Sequence, residues 1–328
     1  MLYDHKDGYE AADALIAISL SDTNVLPLTI AKLDSDLDSP EAQYSVRILN
    51  GIGADAAPAV PVLIHLLEHT NACDMVVNTF CAIGSNAAPA VSSLLHRYDQ
   101  LHGDGNFAQR KWVVITLGRI GPGAQEAIPT LKGLQNRPYE SFDAIHALWR
   151  IDSQFTPMAI AAAEKELMAQ ATMLRSPACN LLGEIGPPAK SAVPLLLQKL
   201  NFRSPVVVFN AAWALWRVDP DQKIKVIPVF ENFCTNAPRY PDEDLSMDAA
   251  GALWQIEPER RSQLRPVIVS MLKQWKDVAA SRHAKPEMKT LLPALQDIMD
   301  DPEYADLRPW ANLILRESNG PGMESWQR

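Results

Sequence analysis

The chain repeats itself, and that constrains its fold more than anything else in its 328 residues. The stretches 49–67 (LNGIGADAAPAVPVLIHLL), 80–95 (FCAIGSNAAPAVSSLL), 117–134 (LGRIGPGAQEAIPTLKGL) and 182–200 (LGEIGPPAKSAVPLLLQKL) share one design. Each has an apolar helical end, then Ile-Gly, a short Ala/Pro run and a second amphipathic segment. Weaker copies carry an acid where the glycine stands, in LWRID (148–152), LWRVD (215–219) and LWQIE (253–257). The marks Gly53, Gly84, Gly121, Asp152, Gly186, Asp219 and Glu257 are 31, 37, 31, 34, 33 and 38 residues apart. A copy before them (16–33) and one after (295–315) bring the count to nine. Periods of this size mean stacked supersecondary units, each burying a face that it cannot cover alone.

Every unit reads as two helices. Val60, Leu63, Ile64 and Leu67 form an i, i+3, i+4, i+7 face, and Val193, Leu196, Leu197 and Leu200 repeat it. No segment alternates with period two between hairpin turns, so strands are not expected. Proline fits this reading. The 25 Pro against 15 Gly reverse ordinary usage of roughly 5% and 7%, and most of the excess recurs in phase. Pro27, Pro61, Pro129, Pro194, Pro228, Pro266 and Pro309 are placed at the start of the second helix, where a missing N–H costs little. Pro58, Pro89, Pro122, Pro157, Pro187, Pro188, Pro220, Pro258 and Pro302 are placed in the turn before it.

On these residues the chain resembles the HEAT-repeat family, including its short bacterial variants. The pattern L-G-x-I-G…A-x-x-A-[VI]-P-x-L at 117–131 and 182–195, with close matches at 49–63 and 80–94, carries the resemblance. It covers about residues 10–317. The resemblance implies an all-α, right-handed α-solenoid of about nine stacked hairpins, a single domain over residues 1–316, with its second helices lining the concave side. It also implies a non-enzymatic scaffold holding a protein partner along that side, and no cofactor. Among similar HEAT-like proteins are bilin lyases, so a cofactor-handling or lyase-type enzyme is the alternative. HEAT-like deoxyhypusine hydroxylases carry His-Glu dipeptides for iron, and this sequence has none.

Charge is uneven. Residues 1–41, read as acidic cap units, hold nine acids and two lysines, while residues 258–289 hold eight bases and three acids. This polarity suggests either a partner of bipolar charge or head-to-tail self-association. With a net charge of −9 the chain is a poor polyanion ligand, so a nucleic-acid partner, as in HEAT-like DNA glycosylases, is not expected. Four cysteines without regular spacing point to buried thiols in a reducing, cytoplasmic setting. The first residues lack a leader pattern, no run of 18 apolar residues marks a membrane span, and residues 317–328 read as a mobile tail.

The candidate partner-binding residues are Trp149, Arg150, Trp216, Arg217, Trp254, Arg261 and Arg265, since Trp and Arg dominate binding hot spots. A competing reading of the three tryptophans is packing, with Trp filling a gap where other repeats have Gly118 and Gly183. His65-Leu66-Leu67-Glu68-His69 matches the helical zinc motif H-x-x-E-H. The apolar Ile64 and Leu67 interleave it as repeat core, so solvated side chains are the expectation there and no metal is assigned. The irregular segments 99–106 and 234–245 are loops that could carry recognition or simply absorb insertions.

Overall fold

The computed structural model describes residues 11–12, 15, 24–35, 42–69, 73–102, 106–137, 140–169, 173–236, 245–279, 290–299 and 301–307. The fold is all-α, with no strand among the described residues. Part of the acidic segment 1–41, part of the basic run 258–289 and the tail 317–328 lie outside them. The helices are α1 (Val25–Ser35), α2 (Ala42–Ile52), α3 (Val60–His69), α4 (Cys73–Ile83), α5 (Val91–Gln100), α6 (Phe107–Ile120), α7 (Ile128–Gly133) and α8 (Ser141–Ile151). They continue as α9 (Thr156–Met168), α10 (Arg175–Ile185), α11 (Val193–Lys199), α12 (Pro205–Val218), α13 (Lys223–Asn236), α14 (Leu245–Ile256), α15 (Arg261–Ala279) and α16 (Leu292–Met299). Residues up to Gln154 belong to one compact unit and Phe155–Ser318 form a second.

The repeat positions do the same work in each copy. The residue four before every mark is sealed in the core: Leu49, Phe80, Leu117, Leu148, Leu182, Leu215 and Leu253 are all at most 1% exposed. Burying such a side chain contributes about 1.5–3 kcal/mol relative to leaving it in water. In the first unit α2, α4, α6 and α8 lie side by side in chain order. Thr79 Oγ1 on α4 donates to the Met75 carbonyl of its own helix at 2.8 Å and lies 3.5 Å from the Val46 carbonyl of α2, and Thr116 Oγ1 on α6 donates to the Val77 carbonyl at 3.3 Å. Both threonines stand five before their marks and face the carbonyl seven before the preceding mark, so successive first helices share one register. In the second unit α10 packs on α12, and α14 contacts both α12 and α16.

Glycine at the crossing makes this contact close. A Cβ on Gly118 would stand 2.9 Å from the Ala147 Cα, and one on Gly183 would stand 3.1 Å from the Ala214 Cα. Position −3 in these two repeats is therefore a point of close contact between helix backbones. Among the described residues, the stretch Ala42–Glu68 reaches the length and apolarity of a membrane span, and half of its window is buried. Gly53, at φ 68°, divides it into α2 and α3.

The turns come in two kinds. Gly53, Gly84, Gly121 and Gly186 all take φ between 67° and 72°, where a side chain is strained. Each leads into a 3-10 segment: Gly53–Ala59, Gly84–Ala90, Gly121–Ala127 and Pro187–Ala192. Asp152, Asp219 and Glu257 instead take φ of −148°, −145° and −126°. They lead into the short segments Ser153–Phe155, Pro220–Gln222 and Pro258–Arg260. The second helix then starts four residues after the mark (Thr156, Lys223, Arg261) instead of seven (Val60, Val91, Ile128, Val193). This moves two prolines. Pro61, Pro129 and Pro194 sit at the second position of their helices, as expected, but Pro228 and Pro266 fall inside α13 and α15. They stand nine residues after their marks where the others stand eight, and their helices begin three residues earlier, so these prolines have become helix interior.

Candidate functional site

Helix α8 ends in Leu148-Trp149-Arg150-Ile151. Leu148 and Ile151 are buried, and the helical period turns Trp149 and Arg150 away from them, leaving both half-buried. The preceding hairpin supplies the facing wall. Because Gly121 lacks a side chain and takes φ 69°, its turn closes on α8, and a Cβ there would stand 3.6 Å from the Arg150 carbonyl oxygen. Between them lies an open cleft of about 530 Å³ lined by Pro122, Gln125, Trp149, Arg150, Ile151, Asp152 and Ser153. The His146 ring lies 5.9 Å from the Trp149 ring, and Phe142 lies 6.5 Å beyond His146. Asp152 is engaged locally: its Oδ1 accepts the Gln154 N–H at 2.8 Å, and its Oδ2 accepts the Gln154 side-chain amide. Beside the Asp152 carboxylate, which Gln154 engages, the cleft offers an indole, a guanidinium and an amide, which are recognition groups for a carboxylate with apolar neighbours.

The cleft terminates a longer strip. On α2, α4, α6 and α8 the positions two and six before the mark are Gly51 and Arg47, Ala82 and Asn78, Arg119 and Ile115, and Arg150 and His146. All but Ala82 are half-buried, and none is a carboxylate. Tyr44, Met75 and Trp112, nine before their marks, run beside them and are half-buried too. Asp143 holds that place on α8, where it meets Lys111 of α6 at 3.7 Å. The strip is cationic within a chain of net charge −9.

The other sequence-selected residues form separate groups in the second unit. The Trp216 ring lies 4.9 Å from that of Trp213, and Arg217 is exposed beside it. Trp254 is only 1% exposed. The guanidiniums of Arg261 and Arg265 stand 5.4 and 6.0 Å from its ring. Arg261 Nε also donates to the Trp254 carbonyl at 3.2 Å, while Arg265 pairs with Asp301 at 2.9 Å and with Asp297. Trp254, Arg261 and Arg265 therefore knit α14, α15 and α16 together, and the indole is covered. Gly251 adds to this closeness, since a Cβ on it would stand 2.6 Å from the Leu291 backbone.

Two further segments acquire definite roles. In the H-x-x-E-H segment, Glu68 Oε1 accepts a 2.6 Å bond from Ser93 Oγ, joining α3 to α5, and His65 is exposed. The His69 and Cys73 side chains lie outside the described residues, among which no cluster of three metal-binding side chains occurs. The long connection after α5 is fastened at its base. Arg110 Nε donates to Glu140 Oε1 at 2.7 Å and Arg110 Nη1 donates to the Leu101 carbonyl at 3.2 Å. Tyr98 Oη donates to Glu140 Oε2 at 3.3 Å, and burial, with the Glu140 charge second, pushes the Tyr98 hydroxyl pKa up.

Sequence reasoning found Trp149 and Arg150 but missed Pro122 and Gln125, which reach the cleft only through the turn of the preceding hairpin. It also missed Arg47, Arg119 and His146. Tabulating residues by distance from the mark would have found them, because the strip is a property of repeat position. Neither a scan against protein-family models nor a search of curated proteins gives a match for the chain.

Proposed function

We propose that the chain is a right-handed HEAT-like α-solenoid of about nine hairpins, acting in the cytoplasm as a non-enzymatic scaffold for a protein partner. The observation that carries this reading is the contrast between its two helix faces in the first unit. The first-helix face presents Tyr44, Arg47, Trp112, Arg119, His146 and Arg150. The second-helix face, which the family resemblance makes the partner-binding one, presents Pro61, His65, Glu68, Asp99, Pro129 and Lys132. Interface cores are enriched in aromatic residues, Met and Arg and depleted in Lys, Glu and Asp. The composition favours the first-helix face, with the Trp149–Arg150 cleft as its anchor. A cofactor-handling enzyme would call for an enclosed pocket with converging polar groups, and the cleft is open.

The test is to purify complexes with the intact chain as bait, identify the partner by mass spectrometry and rebuild the complex from purified components. A stoichiometric complex weakened at least tenfold by Trp149→Ala or Arg150→Glu is expected. A copurifying pigment or metal with measurable turnover, and no such complex, would overturn the scaffold in favour of a lyase-type enzyme.

A further inference from the structure

The cationic strip of the first unit has a spacing as well as a sign. The Arg150 carbonyl lies beside Gly121 and the Arg119 carbonyl beside Gly84, at 3.6 and 4.0 Å from the place of a Cβ on each glycine. Arg119 and Arg150 therefore hold equivalent places on adjacent helices, separated by one interaxial step of about 8–10 Å. A polyproline II segment has three residues per turn and rises about 3.1 Å per residue, so residues i and i+3 share a face about 9.3 Å apart. The two steps match. The half-buried ledge of Tyr44, Met75 and Trp112 runs alongside, and aromatic-lined grooves are what such segments dock against.

Resting on the scaffold reading, we propose that this first-helix strip binds an extended, polyproline II-like acidic segment of a partner protein, with a carboxylate at every third residue. Successive carboxylates meet Arg150 in the Trp149 cleft and Arg119 one helix away, and the side chains between them lie on the aromatic ledge. Charge complementarity selects this occupant: the eight inner strip positions hold three arginines and no acid, in a chain whose net charge of −9 otherwise repels acidic peptides.

The probe is a fluorescein-labelled peptide of four Glu-Pro-Ala triplets, titrated with the full chain and read by fluorescence anisotropy at 50 and 500 mM salt. Binding is expected at low salt, at least tenfold weaker at high salt. Peptides with Gln or Lys in place of Glu, or with the four Glu contiguous, should each bind at least tenfold more weakly while leaving the protein untouched. Arg150→Glu and Arg150→Gln should weaken binding by at least tenfold and threefold. Arg203→Glu, at an exposed arginine of the second unit, should leave it within twofold. Equal binding of the Gln or contiguous-Glu peptide, equal effects of the Arg150 and Arg203 variants, or tighter binding of a twelve-nucleotide oligothymidine would overturn the inference. If no acidic peptide binds but the reconstituted partner complex still depends on Trp149, the acidic-segment inference falls and the scaffold stands.

Discussion

The hairpins turned by Gly53, Gly84, Gly121 and Gly186 and those turned by Asp152, Asp219 and Glu257 begin alike and diverge at one residue. In both kinds the N–H of the mark donates to the carbonyl four residues back: Gly186 to Leu182, Asp152 to Leu148, Asp219 to Leu215 and Glu257 to Leu253, each at 2.9 Å. In both, the carbonyl of the mark accepts the N–H three residues on, at 2.9 Å for Gly186, 3.0 Å for Asp219 and 2.9 Å for Glu257. The glycine then leaves through positive φ, whereas the acid stays extended and spends its side chain on the turn. Asp219 accepts Gln222 Nε2 at 3.0 Å and lies 3.4 Å from Lys190 Nζ; Glu257 Oε2 accepts Arg260 Nη1 at 2.6 Å. One kind of turn is made by backbone freedom and the other by a carboxylate. The second helix consequently starts three residues earlier after an acid.

The strongest way to break this comparison is to exchange the marks. Gly121→Asp places a side chain at φ 69°, so a loss of about 2 kcal/mol in urea unfolding is expected, within the range of such backbone strain. Asp152→Ala, which removes the acceptor for the Gln154 N–H, should cost about 1 kcal/mol, as loss of a capping side chain does. If Gly121→Asp unfolds at the wild-type urea midpoint, the two turns are interchangeable and the distinction fails.

A smaller effect sharpens the comparison through proline. Pro61 and Pro228 stand eight and nine residues after their marks, yet Pro228 lies inside α13 and denies the Ile224 carbonyl its intrahelical donor. Pro228→Ala should stabilise the chain by about 1 kcal/mol, because helix gain exceeds the added freedom of the unfolded chain. Pro61→Ala should lower stability by about 0.5 kcal/mol, because only the unfolded-state effect operates at a helix start. Thermal melts showing shifts of the same sign would contradict the difference in turn length.

The smallest effect is on pH dependence. Hydrogen bonding from Gln222, aided by the charge of Lys190 against a burial effect of opposite sign, holds the Asp219 carboxyl pKa below its ordinary value of 3.8. A depressed carboxyl stabilises the fold above the unfolded-state value and loses that contribution as pH falls through the folded one. The melting temperature of Asp219→Asn should lie below wild type at pH 6, with the difference shrinking below about pH 4. A difference constant from pH 6 to pH 3 would show that the charge of Asp219 has no part in the turn.

What the sequence made legible was periodic, and what it concealed depended on neighbours. The marks, the core leucines and the all-α class follow from residue type at fixed spacing, because burial repeats with the chain. The length of each turn did not follow, because it depends on whether a carboxylate finds Gln154, Gln222 or Arg260. Position −3 was equally opaque. Gly118 and Gly183 let helix backbones touch there, Trp149 borders a cleft, and Trp254 disappears beneath two arginines supplied by the next helix. One column of the repeat serves three purposes, and only the packing tells them apart.

The two compact units each enclose a buried thiol, Cys81 at 1% exposure in the first and Cys179 at 0% in the second. Burial pushes the Cys179 pKa up to about 12, so at neutral pH the reactive thiolate is scarce and shielded. Alkylation at either site must wait for the surrounding helices to part. The chain therefore carries a pair of built-in chemical stopwatches, and mass-resolved labelling of Cys81 and Cys179 times the opening of each half of the molecule with no reporter residue introduced.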